Sequence, residues 1–277
     1  MDREVVLTGN LSEVIRLYDD LYFRKANLEI RDQCNSGFVV LDHSVAIIDY
    51  PGQQPDHEII DEAEKITGLP VKYIILTHAH CDHVTGFRML HREDISLIAR
   101  RTAIEQLYLE GYPVPTIHTA VEKNMSVTLD GRTLSLEIPD DTTHSPWDML
   151  VGIPDRGVVF GGDMIALHKN MFFHSSNIDG WIAALSKLKR SDWKYIARGH
   201  GDIIPASELG RTVEYLKLLR SARLWQMEYN ENLTIKAAEN PRAYLSDGFA
   251  AIVEKLREEV DAYNVARQIN QLYYKLR

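Results

Sequence analysis

The sequence predicts an α/β fold with a C-terminal helical extension. Three observations carry that prediction. Up to residue 204, short β-branched apolar runs alternate with stretches of helical periodicity. The densest cluster of histidine and aspartate, in THAHCDHVTG (77–86), follows directly on such a run, VKYIIL (71–76). From Leu209 onward the strand signals stop and helical periodicity takes over. The expected organisation is a main domain over 1–204 and a helical extension over 205–277.

Each element has its own reason. VIRLYDDLYFRKA (14–26) is rich in Val, Ile, Tyr and Phe and alternates imperfectly, as strand does. SGFVVLDHSVAIIDYPG (36–52) holds two apolar runs around Asp42-His43-Ser44, a β-hairpin pattern. PDHEIIDEAEKITG (55–68) spaces Ile59, Ile60, Ala63 and Ile66 as a helix does, and Gly68 and Pro70 end it. VKYIIL is the next strand, VTGFRMLHRED (84–94) is expected to be helix, and ISLIA (95–99) strand. Residues 101–120 are ambiguous, with Pro113 and Pro115 marking a loop. VTLDGRTLSLEIP (127–139) is a hairpin about Asp130-Gly131, and MLVGIPDRGVVFGGDMI (149–165) another about residues 154–157. IDGWIAALSKLKR (178–190) is an amphipathic helix, and WKYIARGHGDII (193–204) a strand running into a loop. In the extension, 209–230 and 249–277 are helical. There Val253, Leu256, Val260, Tyr263, Ile269 and Tyr273 form one expected stripe. That stripe is open to packing on the main domain, to covering a site, or to a homodimer contact.

Composition narrows the class. The chain has 277 residues, 45% hydrophobic and 26% charged, an ordinary globular balance. No apolar run reaches the ~20 residues a membrane span needs, so no membrane partner is expected. MDREVVLTGNLSEVIRL has no continuous apolar core and does not read as a secretory signal. Two cysteines, Cys34 and Cys81, stand far apart and form no CxxC pair. A disulfide framework is therefore not expected, and a reducing, cytoplasmic location is the default. Cys81 is expected to pack away from its histidine neighbours. The formal net charge of −9 and the lack of a basic run argue against a nucleic-acid partner. The expected partner is a small-molecule substrate.

The histidines carry the chemistry. Of 11 in the chain, three fall between His78 and His83. Alternate side chains of an extended backbone share a face, so His78 and His80 can hold one ion. Asp82 and His83, past the bend, can face a second. Imidazole with carboxylate suits zinc, iron or manganese. Three further strand ends offer donors: His144 in DDTTHSPWD (140–148), Asp163 in VVFGGDM (158–164) and His200 in IARGHGD (196–202). A carboxylate at the Gly161-Gly162 bend can bridge two cations. Loops at several strand ends converging on one rim suit an active site on a rigid scaffold. His43, His57, His91, His118 and His168 are read as structural.

THAHCDH (77–83), then His144, then Gly161-Gly162-Asp163, then Gly199-His200-Gly201, resembles the metallo-β-lactamase superfamily, over roughly residues 12–204. The resemblance implies an αββα four-layer sandwich with metals at one edge of its two sheets, so that 1–204 is the catalytic domain. By position, His78, His80 and His144 would hold metal one, Asp82, His83 and His200 metal two, and Asp163 would bridge them. True β-lactamases usually carry Cys or Ser where this chain has Asp163. The bridging Asp resembles the glyoxalase II-like branch.

The activity so implied is a dinuclear metallohydrolase acting on a small ester, thioester or lactone. Its cofactors would be two divalent ions, Zn2+ foremost, with Fe or Mn the alternatives. A metal-bridging hydroxide would be the nucleophile and Asp82 its orienting catalytic group. Two other classes stay open: an oxidoreductase resembling the mononuclear iron persulfide dioxygenases, and a metal-binding protein without turnover. Trp147, Lys169, Phe172, Phe173 and His174 are candidate substrate contacts, from their places near His144 and after Asp163.

Overall fold

In a computed structural model the described residues are 3–9, 12–27, 33–52, 59–165, 171–229 and 233–274. The expected contacts of Lys169 lie outside them, as do His57 and His168. Packing divides the chain into two compact units. The first holds 1–139, 146–165 and 192–206; the second holds 140–145, 166–191 and 207–277. The helices expected after residue 205 thus share a unit with 166–191, which contains the predicted helix 178–190.

The first unit contains two sheets. One has eight strands in chain order: β1 (Glu4–Thr8), β2 (Ser12–Tyr18), β3 (Leu21–Ala26), β4 (Ser36–Val40), β5 (Val45–Ile48), β6 (Val71–Ile75), β7 (Ser96–Arg100) and β8 (His118–Val121). It is antiparallel as far as β5 and parallel from β5 to β8. The change comes where α1 (Ile59–Thr67) makes the crossover that parallel strands need. The other sheet follows β9 (Met125–Leu129), β10 (Arg132–Glu137), β11 (Leu150–Ile153), β12 (Val158–Phe160), β13 (Tyr195–Ala197) and β14 (Ile204–Pro205). Within it only the β12–β13 pair is parallel. The predicted hairpins are present: Gly37 to Val40 pair with Ile48 to Val45, and Arg132 pairs with Leu129. Asp130 and Gly131 both take positive φ, 40° and 82°, the left-handed pair that a two-residue turn requires.

Alternation along the strands sends one face into each of two cores. Leu21, Phe23, Val39, Ala46, Ile48 and Ile75 meet Leu134, Leu136, Val151 and Phe160 between the sheets. Val14, Tyr22, Phe38, Ile47, Ile74 and Leu97 face the other way. Ile59, Ile60 and Ala63 of α1, with Ala103, Ile104 and Leu107 of a further helix (Arg101–Leu109), cover that face.

Two sequence expectations change. Residues 84–94 do not make a helix. A short α2 (Cys81–Val84) passes into a 3-10 turn over Thr85–Met89 and then a loop. Gly86 N–H donates to Tyr50 O at 3.0 Å, and a Cβ on Gly86 would lie 2.8 Å from that same oxygen. The backbone bond that would continue the helix is spent on docking the turn. The ambiguous stretch 101–120 resolves as α3 (Arg101–Leu109), a proline loop and β8.

The second unit is helical, with α4 (Ile178–Leu188), α5 (Leu209–Tyr229), α6 (Ile235–Glu239), α7 (Pro241–Tyr244), α8 (Asp247–Arg257) and α9 (Ala262–Tyr274). Asn177 caps α4 by accepting from Asp179 N and Gly180 N, as N-cap asparagines do. The predicted stripe from Val253 to Tyr273 belongs to two helices. Asp261 accepts from Asn264 N at 2.9 Å and starts α9, so the phase resets there. Val253, Leu256, Val260 and Ile269 are buried, but Tyr263 is 58% exposed. No helix of the described residues is long and apolar enough to cross a membrane.

Candidate metal centre

Parallel pairing brings the donor loops to common strand ends. β5 and β6 run parallel, so Asp49 and Thr77 leave the sheet side by side. Thr77 N–H donates to Asp49 Oδ1 and Thr77 Oγ1 to Asp49 Oδ2, both at 2.7 Å. His80 is extended, with φ −70° and ψ 150°, and the chain then turns into α2. The rings of His78 and His80 meet edge-on, 4.9 Å between centroids, and His83 of α2 lies 4.0 Å from His78.

In the second sheet β12 and β13 pair in parallel, Phe160 opposite Ala197. Their following loops are joined by Gly199 N–H donating to Gly162 O at 2.9 Å. Glycine is required at both places. Gly162 has φ 50°, and a Cβ there would lie 2.3 Å from Thr77 Oγ1. A Cβ on Gly199 would lie 2.1 Å from Asp163 Oδ1. Asn35 clamps the second loop: it takes Ala26 N–H on Oδ1 and donates from Nδ2 to Arg198 O and Gly201 O.

These loops assemble two overlapping donor groups in the first unit. His78, His80 and Asp163 each offer a ligand atom within 4.8 Å of one another. Asp82, His83, Asp163 and His200 do the same, and Asp163 is common to both groups. His200 Nε2 lies 3.0 Å from Asp82 Oδ2 and 3.4 Å from Asp163 Oδ2. His83 Nε2 is 3.4 Å from Asp163 Oδ1 and 3.7 Å from Asp82 Oδ2.

The electrostatics fit a cation. Burial opposes charge on His200, but Asp163 and Asp82 outweigh it and lift the imidazole to about 10. His83 is likewise raised well above the usual range against burial, by Cys34, Asp49, Asp82 and Asp163. Asp163 is held well below the carboxylate range although burial pushes it up, because His200 and His83 face it. Asp82 is lowered in the same way by His83 and His200. Protons on the two imidazoles supply the positive charge that the carboxylates demand, which a divalent ion would supply instead. Buried His83 Nε2 has no hydrogen bond of good geometry among the described residues. Its Nδ1 is fixed by Asp49 Oδ2 at 2.9 Å. A ring held at one nitrogen with the other left open toward carboxylates is how metal-ligating histidines are set.

Six of the seven predicted ligands come together in this unit. His144 belongs to the second unit, two residues before the chain re-enters the first at Pro146. It is buried, with its ring 5.5 Å edge-on from Trp181 of α4. Of the predicted substrate contacts, Trp147 stands in the first unit, edge-on to His80 at 5.3 Å. Phe172 is partly exposed and stacks on His174 at 5.0 Å. Phe173 is instead fully buried against Trp181, a core side chain of the second unit. Cys81 is exposed rather than packed. Two residues that position the site are not among those predicted from sequence, Asp49 and Asn35. A carboxylate closing the apolar run VAIID before Tyr50-Pro51-Gly52 was the available signal for the first; nothing in the sequence marked the second.

The model of the metallo-β-lactamase superfamily matches residues 30–200, more than half of the chain. The protein belongs to the metallo-β-lactamase superfamily. Solved structures agree on the fold. A metallo-β-lactamase from Pontibacter korlensis superposes with a TM-score of 0.66 at 19% identity, over 74% of this chain and 99% of that one. A metallo-β-lactamase from Erythrobacter litoralis, solved with β-mercaptoethanol in its active site, gives 0.65 at 20% identity, over 78% and 99%. The α/β fold with two sheets and helices is therefore that of the superfamily, and a C-terminal helical region follows the matched residues.

Proposed function

We propose that this chain is a dinuclear metallohydrolase of a small ester, thioester or lactone, nearer the glyoxalase II-like branch than the β-lactamases. The superfamily membership and the His/Asp cluster support a metal-dependent hydrolase. One observation carries the dinuclear reading: Asp163 is shared by two donor groups that otherwise use different residues. An aspartate there, where true β-lactamases usually have Cys or Ser, supports the branch.

His78, His80 and His144 would hold the first ion, and Asp82, His83 and His200 the second, with Asp163 common to both. The donor set is nitrogen and carboxylate oxygen, which suits Zn2+. Two such ions, when bound, would lower the pKa of a water towards neutrality and polarise the scissile oxygen. The chain's own groups do the rest. Asp49 keeps the His83 proton on Nδ1, so that Nε2 faces the site with a lone pair. Asp82, held ionised beside His200, orients the attacking water through its carboxylate. Trp147 beside His80 gives an apolar wall for the substrate's acyl portion, and Phe172 and His174 are further proposed substrate contacts.

The test is turnover of zinc-, manganese- and iron-loaded protein on thioesters, lactones, phosphodiesters and β-lactams, with Asp82→Ala/His83→Ala as control. Thioester or lactone turnover that the control lacks supports the reading. Silence on every substrate with two zinc ions bound overturns it. Turnover of β-lactams alone would move the chain out of the proposed branch. Oxygen consumption by the iron form on a persulfide would replace hydrolysis with the oxidoreductase reading.

A further inference from the structure

A third donor group stands behind the second. Cys34, Asp49 and His83 each offer a ligand atom within 4.8 Å of one another. All three are buried, at 0%, 2% and 0% exposure. Cys34 lies just before β4, Asp49 just after β5, and His83 in α2. His83 belongs to two groups at once. Its Nε2 faces Asp163 and Asp82, while its Nδ1 faces Asp49 at 2.9 Å. Thr77 Oγ1 also donates to that Asp49 oxygen, at 2.7 Å.

The donors differ in kind. The outer groups offer imidazole and carboxylate alone; the inner one adds a thiol. Thiolate with imidazole and one carboxylate favours soft or borderline cations, cadmium among them, over the hard ones. We propose that Cys34, Asp49 and Nδ1 of His83 form an inner site for a thiophilic cation, and that its occupation withdraws His83 from the outer centre. The inference rests on the outer centre proposed above.

The exclusion follows from the ring. A neutral imidazole has one N–H and one lone pair. With the proton on Nδ1 and bonded to Asp49, the lone pair is on Nε2 and serves the outer centre. A cation entering the inner site takes a lone pair at Nδ1. The ring proton passes to Nε2, and Asp49 exchanges its hydrogen bond from His83 for the metal while keeping that from Thr77 N. The Cys34 S–H bond breaks, a metal–sulfur bond forms, and one proton leaves to solvent. No electron changes hands. With Nε2 protonated, His83 donates toward Asp163 and Asp82 and no longer ligates. The inner site is thus a device by which a soft metal inhibits the enzyme without touching the substrate pocket.

The experiment titrates metal-free, full-length protein with cadmium. It follows thiolate-to-metal charge-transfer absorption in the near ultraviolet and counts bound ions by equilibrium dialysis. The forms compared are wild type, Cys34→Ser, Cys34→Ala and Cys81→Ser. The last is needed because Cys81 is an exposed thiol inside the ligand loop. Wild type and Cys81→Ser should develop the band, and both Cys34 variants should lose it. Cadmium–nitrogen couplings in nuclear magnetic resonance spectra should fall on Nδ1 of His83 when the band is present, and on Nε2 in Cys34→Ser. Two ions bound with no thiolate band would overturn the inner site and leave the outer reading standing. A band lost in Cys81→Ser alone, or one accompanied by coupling to Nε2, would overturn it equally. If no form binds cadmium, both readings fall.

Discussion

Asp49→Asn isolates what the buried carboxylate does for the metal centre. Asn is almost isosteric and tolerates the left-handed backbone that Asp49 adopts at φ 59°, so little conformational strain is added. Its oxygen can still accept from Thr77 N, a bond of 2.7 Å in the wild type. The difference falls on the other oxygen, which accepts from Thr77 Oγ1 at 2.7 Å and faces His83 Nδ1 at 2.9 Å. In Asn that position is an NH2 donor. The threonine hydroxyl can turn and accept, but His83 Nδ1–H cannot. The imidazole must shed the Nδ1 proton and carry it on Nε2, the nitrogen that faces Asp163 and Asp82. What is lost is one hydrogen bond to a charged group, about 1.5–3 kcal/mol. Spent on metal affinity, that is roughly 10- to 100-fold, the range seen when a partner of a ligating histidine is removed. Competition against a chromophoric chelator measures the affinity, and urea denaturation of the metal-free protein measures the fold. The expected result is weaker binding of one of two ions with a smaller effect on the fold. Two ions bound at wild-type affinity, or a fold weakened with affinity untouched, would refute the reasoning.

Further outcomes follow from the same contacts. Gly199→Ala should lower metal affinity at least tenfold in the chelator assay, because the new Cβ lands 2.1 Å from Asp163 Oδ1. Gly111→Ala, at φ 74° with nothing within 4 Å, is its control and should cost only about 1–2 kcal/mol of stability through left-handed backbone strain. Trp181→Ala should remove about 3–5 kcal/mol in denaturant titrations, since Trp181 is fully buried against Phe173 and His144. Zinc at about 100 times its dissociation constant should raise the unfolding free energy by about 2.7 kcal/mol, and a chelator should reverse the gain. An alkylating reagent at pH 8 should label Cys81 in the native protein and Cys34 only after unfolding. Cys34 is buried, and burial pushes its thiol up to about 12 despite the nearby His83.

Most of the fold was legible because its elements carry local signals. The hairpins at residues 36–48 and 127–137 announce themselves by apolar or alternating runs on either side of a polar turn, and α1 by its Ile59, Ile60 and Ala63 spacing. The failures share a cause: periodicity sees spacing but not partners. Residues 84–94 are spaced as a helix, yet Gly86 bonds to Tyr50, which no local pattern encodes. Val253 to Tyr273 look like one stripe, although Asp261 restarts the helix between them. The site divides the same way. His78, His80, Asp82 and His83 were legible as a cluster within six residues, whereas Phe173 is an aromatic whose partner, Trp181, decides that it is core. Asp49 closes an apolar run in the sequence, and nothing local to VAIID names its partners. Its role depends on a register, Ile48 beside Ile75, that puts it next to Thr77.

That register explains why the donors sit where they do. In a parallel pair the loops leaving both strands emerge on the same side, and open α/β sheets bind their ligands there. This chain uses parallel pairing in both sheets. β5 beside β6 delivers Asp49 next to Thr77 and His78; β12 beside β13 delivers Asp163 next to Gly199 and His200. An antiparallel arrangement of either pair would send one member of each couple to the far end of its sheet, some three to five residues of strand away at ~3.3 Å each. No loop rearrangement could then restore contacts of 3.4 Å such as His200 Nε2 to Asp163 Oδ2. The two crossovers needed to keep both pairs parallel are the stretch containing α1 and the stretch 161–194. The second crossover carries Phe172 and His174. Of the residues proposed to meet the substrate, Phe172 and His174 lie on that crossover and Trp147 does not; of the six donors in the first unit only Asp163 belongs to it, at the end of β12. On that division, exchanging residues 171–177 should alter substrate preference and leave metal affinity within about threefold of wild type. A tenfold loss of affinity on that exchange would show the crossover to be part of the centre.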